Sequence, residues 1–194
     1  MAAKANKLPT TPMAPSGPTL LFFQEAKAGD VKKVNRESNI SETGGGARDL
    51  RLNPPTAFAR ILAPMFPKKT KTPGVYEGVV YWQGKQGQTE SARLQLWRPT
   101  DARPFESRIG KIYKVGMWQI EPRLYSRSIR KGDMWLFALM QDTNDAVWAQ
   151  LLRKSELGSE QPIVANYINN QISRTPRSRS VRGAIDFKNG ATYP

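Results

Sequence analysis

The segment Val75–Trp97, VYEGVVYWQGKQGQTESARLQLW, carries the most decisive local signal in the chain. Its first part, Val75 to Trp82, is dense in Val, Tyr and Trp, residues that fit a pleated, half-buried surface. Gly84 to Gly87 supplies turn residues. Beyond them Ala92, Leu94 and Leu96 alternate with Arg93, Gln95 and Trp97, the period of two that gathers apolar side chains on one face of a strand. The segment reads as a β-hairpin.

Downstream of the hairpin, a polar loop from Arg98 to Arg108 leads into an expected strand over Ile109 to Val115, and a further strand is expected over Leu124 to Ile129. Gly132 and Asp133 then precede the apolar run Met134 to Met140; Asp142, Asn144 and Asp145 make a turn, and Ala146 to Leu152 reads as another buried strand. Ile163 to Ile172 has the pattern of a last helix. Ser173 to Pro194 carries Arg174, Arg177, Arg179, Arg182 and Lys188 among Ser, Pro and Gly, and reads either as a basic linker or tail or as an electrostatic arm that adds charge but no specificity. Upstream, Asn53, Pro54 and Pro55 resemble a helix start, with Phe58, Ile61 and Leu62 on one face until Pro64 and Pro67 stop it. Arg36 to Arg51, with Gly44 to Gly46 in its middle, reads as an arm or flexible loop, and Thr19 to Val34 as a short amphipathic helix. Met1 to Pro18, rich in Ala, Pro, Thr and Lys, reads as a disordered leader. The expectation is a mainly β, mostly antiparallel barrel or sandwich of six or seven strands with two or three short helices, spanning residues 19–172.

Composition narrows the chemistry. The 194 residues contain no Cys and no His, which excludes thiol nucleophiles, disulfides, thiolate or imidazole metal sites and a His general base. Carboxylate chemistry is the main enzymatic route left. Thirty Lys and Arg against sixteen Asp and Glu give a formal charge of +14, which points to a polyanionic partner. The apolar stretches are far shorter than the ~20 residues that span a bilayer, and the amino terminus lacks the apolar core of a signal peptide, so an intracellular nucleic acid is the expected partner rather than a membrane. The five tryptophans, Trp82, Trp97, Trp118, Trp135 and Trp148, fall mostly in strands, where core packing is their expected role.

Between the hairpin and the next strand lie Arg98, Asp101, Arg103, Glu106, Ser107, Arg108 and Lys111. Such a mixture suits base reading in a major groove. Arg donates a bidentate pair to guanine, Glu or Asp accepts from the cytosine amino group, and Ser serves either way. The competing reading is a solvated loop whose charges neutralise one another. Thr43, Gly44, Gly45 and Gly46, followed by Arg48, Asp49 and Arg51, likewise fit either a backbone that approaches phosphates and base edges closely or a simple flexible turn. No Gly-Lys-Ser or Gly-Lys-Thr follows these glycines, so a P-loop is excluded. Asp186-Phe187-Lys188 has only the outline of a metal-dependent nuclease motif, with no acidic strand before it.

The order Thr43-Gly44-Gly45-Gly46, Leu52-Asn53-Pro54, Met65-Phe66-Pro67, Pro73-Gly74-Val75-Tyr76, Ala92-Arg93-Leu94 and Glu106-Ser107-Arg108-Ile109 resembles the amino-terminal effector domain of EcoRII-like type IIE restriction endonucleases. The resemblance covers about Asn39 to Leu152 and rests on the order of short motifs. It implies a DNA-binding pseudobarrel, similar to the plant B-three domain, that grips duplex DNA between two major-groove arms, here Ser38 to Arg51 and Arg98 to Lys111. It also implies a CCWGG target, a bacterial cytoplasmic setting and a separate carboxy-terminal nuclease domain of the PD-(D/E)xK type. Mg²⁺ would serve that nuclease domain, with no cofactor required for binding. In the first arm Ala47, Arg48 and Asp49 stand where the family commonly has His-Gln, so base contacts there do not carry over. Two readings of other classes stay open: a metal-dependent phosphodiesterase using Glu77, Glu90 and Asp133, and an RNA-binding β-barrel.

Overall fold

The computed structural model describes residues 17–35, 49–119, 134–160, 162–177 and 179–194. In chain order its strands are β1 (Pro18–Glu25), β2 (Asp49–Arg51), β3 (Lys68–Lys69), β4 (Val75–Gln83), β5 (Thr89–Trp97), β6 (Arg108–Gly110), β7 (Trp135–Asp142), β8 (Val147–Arg153), β9 (Arg182–Asp186) and β10 (Ala191–Tyr193). The principal helices are α1 (Ala28–Val34), α2 (Pro55–Ile61) and α3 (Pro162–Arg174). All ten strands belong to one curled, mixed sheet in the order β10-β9-β1-β7-β8-β4-β5-β6-β2, with β3 on β4. The chain is mainly β and forms a half-barrel, in keeping with the expected pseudobarrel.

The Val75–Trp97 hairpin forms as its alternation predicts, pairing Val75 with Trp97 and Gln83 with Thr89. Gly78 has a packing reason to be glycine: a Cβ there would lie 2.1 Å from the Met65 carbonyl oxygen, where the turn Ala63–Met65 lands on β4. Gly74 enters β4 at φ +73, a backbone conformation natural to glycine. Pro54 before α2, Pro55 at its start and the helix itself also stand where expected.

Apolar side chains gather on both sides of the sheet. One cluster joins Leu20, Phe22, Phe58, Leu62, Leu94, Leu96, Ile109 and Phe137 beneath α1 and α2. The other joins Leu21, Phe23, Leu136, Met140, Trp148, Val164 and Ile168 beneath α3. Edge-to-face aromatic pairs tie helix to sheet on each side, Phe22 with Phe58 at 5.5 Å and Phe23 with Tyr167 at 5.8 Å. Asp142 is fully buried and holds the β7–β8 turn, accepting the Asn144 and Ala146 amides and the Trp148 indole N–H.

Four expectations are corrected. Thr19 to Glu25 is strand, not helix; only Ala28–Val34 of that segment is helical. β1 lies between β7 and β9, and hydrogen bonds on both edges outweigh the local pattern. The segment after Ser173 is no loose tail, because β9 pairs with β1 and β10 with β9. The strand expected over Ile109 to Val115 stops at Gly110, because Lys111 takes a left-handed φ of 63 and the chain continues as the 3-10 turns Ile112–Lys114 and Gly116–Trp118. The sheet thereby has ten strands rather than six or seven. Residues 1–16 of the leader, most of the first arm, the strand over Leu124 to Ile129, and Gly132 with Asp133 lie outside the described residues, while Pro18, expected in the leader, opens β1.

Candidate functional site

The register of four strands builds the site. Cross-strand partners run Tyr76–Leu96–Ile109–Leu50 in one row, and these residues pack on the core. Side chains alternate faces along a strand, so the flanking rows belong to the outer face. They are Glu77–Gln95–Gly110–Asp49 and Val75–Trp97–Arg108–Arg51. The first arm enters this patch at Asp49 and the second at Arg108, from opposite ends of the antiparallel β2–β6 ladder.

Arg108 is the hub. Its Nη1 lies 2.7 Å from Asp49 Oδ2 and its Nη2 lies 3.1 Å from Glu106 Oε1, while its guanidinium stacks 4.3 Å from the Trp97 ring centre. Arg103 extends the chain of charges, with Nη1 3.1 Å from Glu106 Oε2 and its guanidinium 5.9 Å from the same indole. Gly110 leaves room for the Trp97 ring beside β6, since a Cβ there would come within 3.2 Å of the indole nitrogen. The backbone of the arm is fixed as well: the Thr100 and Arg103 main chains bond reciprocally, the Glu106 amide donates to the Arg103 carbonyl and the Leu52 amide to the Ser107 carbonyl. A concavity of about 370 Å³ opens beside it, lined by Arg51, Leu52 and Arg103 to Arg108.

The expected residues thus divide. Asp49, Arg51, Arg103, Glu106 and Arg108 come together. Asp49 is buried and serves as an anchor for Arg108 rather than as a surface group. Ser107 is only 4 % exposed, and its hydroxyl is buried without a hydrogen-bond partner among the described residues, so it does not stand on the arm's outer surface as expected. Arg98 stacks on Tyr76 at 5.0 Å, and Lys111 sits 3.8 Å from Glu77, both at the foot of the arm. Asp101 is exposed in the turn. Thr43, Gly44, Gly45 and Arg48 lie outside the described residues.

Sequence reasoning missed Phe105, whose ring is 87 % exposed at the tip of the arm between Pro104 and Glu106. The signal was an aromatic residue between Pro104 and Glu106 in a polar loop. Trp97 was assigned to the core; it is half-buried and serves instead as the platform for the two arginines.

Among the described residues no group of three or more acidic side chains is placed to hold a metal ion. Glu77 stands opposite Gln95 and Glu90 opposite Trp82, five positions apart along the ladder and on opposite faces of the pleat. Glu90 instead accepts from the Trp82 indole at 2.8 Å. Among the described residues no helix is long and apolar enough to cross a membrane. The site is a guanidinium-rich outer face on a mainly β sheet, and neither a family model nor a curated protein matches the chain.

Proposed function

We propose that this chain is a sequence-specific double-stranded DNA recognition domain, of the kind EcoRII-like restriction endonucleases use as an effector or targeting module for CCWGG. The single observation that carries the reading is the braced chain Arg103–Glu106–Arg108–Asp49 on the Trp97 platform. These charges pair with one another, as the solvated-loop reading also expects. What favours base reading is that the pairing presents a fixed pattern of donors and acceptors, which simple phosphate attraction does not need.

Glu106 accepts from the cytosine amino group. Each of its oxygens already accepts from one arginine, yet a carboxylate has about four lone-pair sites, so acceptor capacity remains. Arg103, exposed and bound through one terminal nitrogen, keeps donors for guanine N7 and O6. Arg108 is a positioning residue that sets the Glu106 carboxylate. Phe105, beside Glu106, supplies an apolar face for a thymine methyl group. Arg51 and Lys111 flank the patch and meet phosphates. Cleavage belongs to a separate PD-(D/E)xK domain with its own Mg²⁺.

The test is a gel-shift titration at physiological salt with a duplex containing CCWGG and the same duplex with its central pairs scrambled. A preference of about tenfold or more is expected, and Glu106→Gln should remove most of it, since one good base contact discriminates by about 1–3 kcal/mol. Replacing the thymines by deoxyuridine should weaken the wild type by about fourfold and leave Phe105→Ala indifferent, as one methyl group is worth about 0.8 kcal/mol. Equal affinity for both duplexes overturns the reading. Tighter binding of single-stranded RNA would replace it with an RNA-binding function, and chelator-sensitive cleavage of plasmid with a phosphodiesterase.

A further inference from the structure

The segment joining α3 to β9 is another concentration of positive charge among the described residues. Arg174, Arg179 and Arg182 line a groove of about 370 Å³, and no Asp or Glu side chain lines it among the described residues. The segment is held in shape: the Thr175 hydroxyl donates to the Gln171 carbonyl at 2.6 Å, and the Arg179 amide to the Pro176 carbonyl at 2.9 Å. Arg174 and Arg179 are exposed, whereas Arg182 is half-buried.

This groove adjoins the candidate site. Arg51 and Leu52 line the concavity under the second arm, and the next two residues, Asn53 and Pro54, line the arginine groove. Arg182 Nη1 donates to the Arg51 carbonyl at 3.4 Å, tying the groove to β2. Burial lowers the Arg182 pKa, Asp30 opposes that, and the nearby Arg179 charge adds to it. Guanidiniums that repel one another in a partly desolvated groove are stabilised by an entering anion.

We propose that the Arg174–Arg182 groove binds the phosphate backbone of the duplex whose bases the second arm reads. The inference rests on the DNA-reading function and extends its footprint along β2. Duplex DNA carries one charge per ~1.7 Å of axis, so a few arginines on one wall meet consecutive phosphates. The groove adds affinity without adding sequence preference.

The test is the salt dependence of duplex binding by the whole chain carrying Arg174→Ala and Arg179→Ala together; both side chains are exposed, and the thermal unfolding midpoint checks the fold. The slope of log affinity against log salt should fall by about two, since each neutralised phosphate contributes about 0.9. Affinity at 0.15 M salt should drop roughly thirtyfold on the CCWGG and scrambled duplexes alike, leaving their ratio unchanged. Lys85→Ala, at the tip of the β4–β5 hairpin, should leave the slope as it was. An unchanged slope in the double variant overturns the groove while the base-reading function stands. A loss confined to the CCWGG duplex also overturns it, because the arginines would then be reading bases. A wild type with no sequence preference, whose slope still falls in the double variant, removes the base reader and leaves the phosphate groove. No duplex affinity at all removes both.

Discussion

Arg108 shows how a surface arginine becomes part of a fold. One guanidinium meets Asp49, Glu106 and the Trp97 ring, three groups from β2, the second arm and β5. Lysine cannot replace it, because an ammonium offers neither the planar fork nor the stacking surface. Its Nε is buried without a hydrogen-bond partner among the described residues. Arg108→Met should lower stability by about 2 kcal/mol, below the cost of breaking a fully buried pair because the arginine side chain keeps 21 % exposure. Urea denaturation checks it, and Arg108→Met with Asp49→Leu should recover most of the loss. An equal loss in the single and double variants would show that the ion pair does not set the cost. Glu106 and Arg108 were legible in the sequence as a pair of opposite charges in a polar loop. Asp49 as their anchor was not, because it reaches Arg108 across 59 positions through a strand pairing that no local pattern records.

At the scale of elements, legibility follows burial. The β4–β5 hairpin has one face on the core and one outside for much of its length, so its alternation is visible. β1 is buried from Thr19 to Gln24, on both faces, and a strand covered on both sides loses its period of two and resembles a helix start. β9 is short and small, Arg-Gly-Ala-Ile-Asp, and is held as a strand by β1 on one edge and β10 on the other. Gly183 fits there because a Cβ would press to 2.9 Å from the Phe23 ring. α3 locks this edge of the sheet through Tyr167, whose hydroxyl donates to the Tyr193 carbonyl in β10. Burial pushes the Tyr167 pKa from its ordinary 10.0 up to about 12. The folded chain therefore keeps this proton at pH values where the unfolded chain has lost it. Its contribution to stability is complete below about pH 10 and is lost as the pH rises toward about 12. Urea midpoints at pH 9 and pH 11.5 should fall less for Tyr167→Phe than for the wild type, and parallel losses would assign the alkaline sensitivity elsewhere.

For the whole molecule, a formal charge of +14 sets the balance between solubility and self-repulsion. The arginine groove gathers three of these charges with no Asp or Glu among its lining residues. Raising NaCl from about 20 mM to 200 mM should therefore raise the thermal unfolding midpoint by a few degrees through screening. A midpoint that falls with salt would mean the attractive ion pairs outweigh the repulsion. The place of β1 in the sheet has a temporal consequence. Phe22 pairs with Leu139 on one edge and Ala184 on the other, so both neighbours of Leu20-Leu21-Phe22-Phe23 leave the ribosome well over a hundred residues after it. At ordinary synthesis rates this apolar strand waits on the order of ten seconds with both edges unpaired, a natural substrate for a holding chaperone.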